Sequence, residues 1–179
     1  MIIRKTLKAR ISLNDVHEII SQLQLESNGK QEMYELLFDE DETVSFQAAW
    51  VLSHFSAKDN EWLYDKQDQL INKAMNEQHT GKRRIILQML YRQPFATPPR
   101  VDFLDYCLEK MISKNELPAV QSSCIKLAYE MCRQIPELLG ELKSILEMME
   151  PEQLTPATRS ARNHVFKAMR SGKSLQKLK

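Results

Sequence analysis

Residues 41–52 read Asp41-Glu42-Thr43-Val44-Ser45-Phe46-Gln47-Ala48-Ala49-Trp50-Val51-Leu52. An acidic turn leads into an apolar stripe at helical spacing (Ala48, Val51, Leu52), the pattern of a helix with one buried face. The stripe returns downstream. Ala48, Ile86 and Cys124 stand 38 residues apart, as do Val51, Met89, Leu127 and Val165, and Leu52, Leu90, Ala128 and Phe166. A second series accompanies it. Met33, Ile71, Leu108 and Leu146 are spaced 38, 37 and 38, and Leu37, Met75 and Ile112 are spaced 38 and 37. Two helices therefore recur together, in the same order, about four times.

One helix pair cannot bury its apolar stripe alone, whereas stacked neighbours can. A period of 37–38 lies just under that of HEAT and armadillo units and above that of tetratricopeptide repeats. With its acidic turn, Val44, the paired Ala48 and Ala49, and Leu52, the stretch 41–52 resembles the second helix of a HEAT repeat. The later units match in period and lack the paired Ala. The resemblance covers residues 31–170 and implies an all-α fold, a right-handed α-α superhelix of about four HEAT-like pairs plus a leading helix. Periodicity alone also admits a compact helical bundle.

Punctuation sets the expected boundaries. A leading helix is expected over 14–26, followed by pairs 31–39 with 43–56, 61–77 with 81–93, 99–114 with 118–134, and 136–149 with 156–170. Asn60 and Thr80 read as N-caps, and Thr97-Pro98 and Thr155-Pro156 as a capping hydroxyl before a first-turn proline. Pro118 and Pro136 can open helices in the same way. Asn28-Gly29 marks a turn. The expected organisation is a basic N-terminal segment, 1–13, a single HEAT-like domain, 14–170, and a basic, disordered tail, 171–179.

Composition narrows the function. The chain has 179 residues, a formal net charge of +1 and three cysteines. Cys107, Cys124 and Cys132 form no Cys-x-x-Cys, which argues against a disulfide framework or structural zinc and for reduced thiols in the cytoplasm. No apolar run follows the basic N-terminus, so neither a signal peptide nor a membrane span is expected. His17, His54, His79 and His164 lack metal-ligand spacing. No phosphate loop, nucleophile elbow or metalloprotease motif occurs. No metal or cofactor is expected, and enzymatic activity is not.

The near-neutral total hides a segregation. All four first-helix segments are net negative, and none of the second-helix segments is. In HEAT-like solenoids the second helices usually line the concave surface, so the resemblance implies a basic inner face that focuses its field on acidic partners. Opposite the core stripe the second helices place Trp50, His54, Arg84, Gln88, Tyr91, Arg92, Lys126, Tyr129, Arg133 and Lys167, the expected binding ridge. Lys82, Arg83 and Arg84 crowd a helix N-terminus, where cations are disfavoured, which reads as a sign of function. Arg159, Arg162, Lys167, Arg170, Lys173, Lys177 and Lys179 form a basic C-terminus.

Two classes of partner suit such a ridge. An acidic or amphipathic protein segment could anchor on the rings and cations, making the chain a non-catalytic scaffold. Phosphates and stacked bases could use the same groups, as in the DNA-alkylation-repair glycosylases, which this chain resembles in scaffold. Those enzymes need a carboxylate on the inner face, and the one acid on the ridge is Glu130. A third reading makes the chain a building block of a larger assembly, with Phe166 in a core register that no fifth pair covers.

Overall fold

The computed structural model describes residues 2–178. Met1 and Lys179, the ends of the two basic segments, lie outside them. All regular structure among the described residues is helical, and contacts gather the chain into two units, Met1–Leu63 and Tyr64–Lys179.

The first unit holds α1 (Ile2–Thr6), α2 (Leu13–Leu25), α3 (Gly29–Leu36), α4 (Glu42–Ser53) and α5 (Ala57–Glu61). The basic N-terminal segment is folded into it. Leu7 and Ile11 are buried, and the Arg4 guanidinium grips Asp39 with two bonds of 2.6 and 2.8 Å. That bond, first, and the Asp41 N–H hold the Asp39 carboxyl below the usual carboxylate range. Ser12 opens α2 with a capping box. Its hydroxyl accepts from the Asp15 N–H, and Asp15 accepts from the Ser12 N–H at 2.6 Å. Asp41 caps α4, accepting from Thr43 and Val44. Ala48 and Ala49, fully buried, leave little side chain between α4 and its neighbours α2 and α3.

Gly29 starts α3 where it presses on α2. A Cβ there would lie 2.7 Å from the Leu23 carbonyl oxygen and 2.9 Å from its Cα. Backbone cannot step aside cheaply, so Gly29→Ala is expected to lower stability by about 1–3 kcal/mol in urea titration. A neutral result would mean that α2 and α3 do not meet so closely.

The expected 61–77 helix is broken. Ser56, not Asn60, supplies the cap, its hydroxyl accepting from the Asp59 N–H at 3.1 Å. α5 therefore starts early and closes through short i→i−3 bonds from Trp62 and Leu63. The second unit opens with a 3₁₀ turn, Tyr64–Lys66, and continues with α6 (Gln67–Asn76), α7 (Thr80–Tyr91), α8 (Val101–Ile112), α9 (Pro118–Cys132), α10 (Pro136–Met148) and α11 (Pro156–Ser171). Pro118, Pro136 and Pro156 each stand in a first helical turn, and Thr155 caps α11 as expected. Thr80 does not cap α7. His79 does, its Nδ1 accepting from the Lys82 N–H at 3.1 Å. Nor do Thr97 and Pro98 open α8, whose N-cap is Arg100.

Helix α9 is the hub, packing against α7, α8, α10 and α11. Being surrounded, it buries nearly its whole circumference from Cys124 to Cys132 apart from Lys126. Ala48, Ile86 and Cys124, and likewise Val51, Met89, Leu127 and Val165, are fully buried, so the 38-residue register of the second helices holds. In the first helices it slips by one at α8. Cys107 and Met111 are fully buried, and Ile112 is exposed. Phe166 is half-buried, covered by the Arg162 guanidinium 4.7 Å from its ring centre rather than by another helix pair.

Candidate functional site

Trp50 and His54 lie in the first unit. Trp50 is half-buried, its ring edge-on to His54 with centroids 5.8 Å apart, and His54 also approaches His17 at 6.4 Å. The other eight expected residues lie in the second unit. On α7 the buried Ile85, Ile86, Met89 and Leu90 turn Arg84, Gln88 and Tyr91 to the opposite face at i, i+4 and i+7. From α9 the Lys126 ammonium sits 5.5 Å from the Tyr91 ring centre, a cation–π contact. Burial, with the Glu130 charge nearby, pushes the Tyr91 hydroxyl up to about 12, so the ring stays neutral. Arg92 is half-buried, and Gln88 and Lys167 are exposed. Arg84 and Lys126 have no carboxylate partner among the described residues.

Two expectations are corrected, the cation cluster at the start of α7 as a sign of function and the exposure of one ridge residue. First, Lys82 and Arg83 are structural. Lys82 is buried and pairs with Glu77 at 3.1 Å. Arg83 pairs with Glu116 at 2.5 Å and donates twice to the Glu77 carbonyl oxygen. The cations at the start of α7 thus turn inward toward acids from neighbouring segments, and only Arg84 is left on the surface.

Second, Tyr129 is not exposed. Its side chain has 0% exposure, and the segment expected to be disordered bonds to its hydroxyl. Past α11 the chain turns at Gly172, whose left-handed backbone (φ 65°) suits glycine. The Tyr129 hydroxyl donates to the Lys173 carbonyl oxygen at 2.7 Å. The Glu130 carboxylate accepts from the Ser174 hydroxyl at 2.9 Å, the Leu175 N–H at 2.6 Å and the Arg133 guanidinium at 2.9 Å. The Gln176 amide donates to the carbonyl oxygens of Tyr91 and Gln93 at 2.7 and 2.8 Å, two acceptors left over at the end of α7. Burial, then the Glu130 charge, raises the Tyr129 hydroxyl above its ordinary value.

Hollows open in this unit. A cleft of about 700 Å³ borders the C-terminal segment and is lined by Phe95, Glu130, Arg133, Gln134, Gln176 and Leu178 among others. A smaller one of about 230 Å³ lies between Tyr64, Asp68, Phe95, Arg100, Phe103 and Met131. Among the described residues no group of three His, Cys, Asp or Glu could hold a metal ion, and no helix is long and apolar enough to cross a membrane. Glu130, the acid that a glycosylase likeness would use, has both oxygens engaged by the chain's own segment.

Sequence reasoning missed Ser174 and Gln176. The available signal was Gly172 just past Arg170, a helix C-terminus that aims the chain rather than releasing it.

Comparison with family models decides the lineage: the model of the HEAT repeat domain matches residues 3–169. The chain belongs to the HEAT repeat family. No curated protein and no solved structure matches it. HEAT repeats generally act as protein-interaction scaffolds, and this HEAT chain keeps the repeat's paired Ala only in α4.

Proposed function

We propose that this HEAT chain is a non-catalytic cytoplasmic scaffold, and that its second helices hold an acidic or amphipathic segment of another protein. The observation that carries the proposal is a pair of cations, Lys126 against the Tyr91 ring and Arg84 two turns before Tyr91 on the same face of α7. Most cations of α6–α8 are neutralised, as Lys73, Lys82, Arg83, Arg100 and Lys110 show. Arg84 and Lys126 have no carboxylate partner among the described residues, and Lys126 lies against a ring that offers an apolar platform. Such a surface rewards a partner carboxylate with an adjoining apolar side chain. Polyanionic nucleic acid is less well served, since two of the three cations at the start of α7 are spent inside the fold.

Selection from a random peptide display library, followed by fluorescence anisotropy of the recovered peptides, tests this. Recovered peptides should be rich in Asp and Glu, and Arg84→Glu with Lys126→Glu should weaken them by roughly tenfold or more. Peptides without acids, or binding indifferent to the double reversal, would reject the surface. Tight, steeply salt-dependent binding of duplex or single-stranded DNA instead would hand the face to phosphates.

A further inference from the structure

The contacts of the C-terminal segment have the character of ligand recognition rather than of core packing. Ser171 to Leu178 offers only Leu175 and Leu178 as apolar side chains, the first half-buried and the second exposed. What holds the segment is a set of polar bonds to groups that already point outward from α7 and α9. They are the Tyr129 hydroxyl, both Glu130 oxygens, and the carbonyls of Tyr91 and Gln93. Two bonds involve the segment's main chain, at Lys173 and Leu175. The others read a hydroxyl at Ser174 and a carboxamide two residues later at Gln176. The attachment ends at Gly172, around which a Cβ would meet nothing within 4 Å, so the hinge is unobstructed. Beside the segment the cleft of about 700 Å³ remains open, with Phe95 and Arg133 on its walls.

We propose that the C-terminal segment is a resident ligand of a peptide-binding groove at the C-terminal ends of α7 and α9. The partner that displaces it is an extended protein segment carrying a hydroxyl residue followed two positions later by glutamine. Glu130 accepts the incoming hydroxyl and main-chain N–H, and the helix-end carbonyls accept the carboxamide. The tether sets the threshold. A short flexible connection presents the resident segment at roughly millimolar effective concentration, so a partner competes by adding contacts in the open cleft. An aromatic or aliphatic side chain against Phe95 and a carboxylate on Arg133 would supply them. The groove uses the same two helices as the acidic-partner reading but does not rest on it.

The probe is a fluorescein-labelled peptide of sequence Gly-Lys-Ser-Leu-Gln-Lys-Leu, titrated by anisotropy against the full chain. In Ser174→Ala with Gln176→Ala the resident segment is loosened while the groove is left whole. This variant should bind the peptide about tenfold more tightly than the parent chain if the segment occupies the groove nine-tenths of the time. Adding Glu130→Ala should abolish that binding, while circular dichroism confirms the helices. Hydrogen exchange of the Leu175 amide should be protected in the parent and fast in the loosened variant. Equal affinity for parent and loosened chains, no binding to either, or binding indifferent to Glu130 each overturns the proposal. Acidic peptides recovered by display together with a failed titration would leave the Arg84 and Lys126 surface standing and remove only this groove.

Discussion

Replacing Lys82 with methionine should lower the stability of the folded chain by about 3–5 kcal/mol, because it strands a buried carboxylate. Lys82 and Glu77 are both buried and sit 3.1 Å apart. Methionine keeps the stem's packing and removes only the charge. Lys73, 3.2 Å from the same oxygen, and the His79 N–H at 2.9 Å remain, so the loss should fall near the lower end of that range. Burial alone would raise the Glu77 carboxyl. The His79 N–H and the two lysines outweigh it and hold the group below its ordinary value. A carboxyl lowered on folding stabilises the native state above its unfolded value and ceases to do so as pH falls through its folded value. The deficit of Lys82→Met should therefore be widest at neutral pH and narrow in acid. Urea titrations at neutral pH and in mild acid measure it. Glu77→Gln added to Lys82→Met should recover most of the loss, since a neutral pair leaves no buried charge. A neutral single substitution would show that Lys82 reaches water, and would return the cations at the start of α7 to the surface.

That pair also shows where the sequence stopped being legible. The apolar repeat was readable because each second helix turns the same positions to the core every 38 residues, and burial acts on residue type. Val51, Met89, Leu127 and Val165 accordingly share a fate. In the first helices a one-residue slip at α8 exchanged Ile112 for Met111 as the buried side chain. The break near Leu63 turned on whether Ser56 or Asn60 takes the cap. Both residue types can cap, so composition could not choose.

The ridge was half legible for a related reason. A helical wheel assigns a face, and Arg84, Gln88, Tyr91 and Lys126 occupy the face it assigned. It does not know what else lies on that face. Lys82 and Arg83 found acids, Glu77 and Glu116, that stand 5 and 33 residues away in sequence. Tyr129 found residues beyond the last helix. A stretch such as Lys173-Ser174-Leu175-Gln176 looks disordered because it has too little apolar surface to fold by itself. It orders here because α7 ends in the carbonyls of Tyr91 and Gln93, and α9 offers the Tyr129 hydroxyl and the Glu130 carboxylate. Free carbonyls are a property of helix ends, not of the sequence that satisfies them.

Tyr129→Ala is the second large effect, an expected loss of about 3–5 kcal/mol from a fully buried ring and the cavity it leaves. Tyr129→Phe separates ring from hydroxyl. It keeps the volume and deletes only the 2.7 Å bond to the Lys173 carbonyl, whose exposed residue can turn to water, for a loss of about 0.5–1.5 kcal/mol. Urea denaturation measures both. The contrast bears on what covers the ring. On a bare ridge the tyrosine would be an exposed platform, and its truncation would cost little, as surface substitutions do. Under the C-terminal segment it is core. A loss below about 1 kcal/mol for Tyr129→Ala would place the ring back in solvent and lift the segment off α9. A full-sized loss for Ala with a small one for Phe means that the ring is core, and that the hydroxyl adds only its bond to the segment.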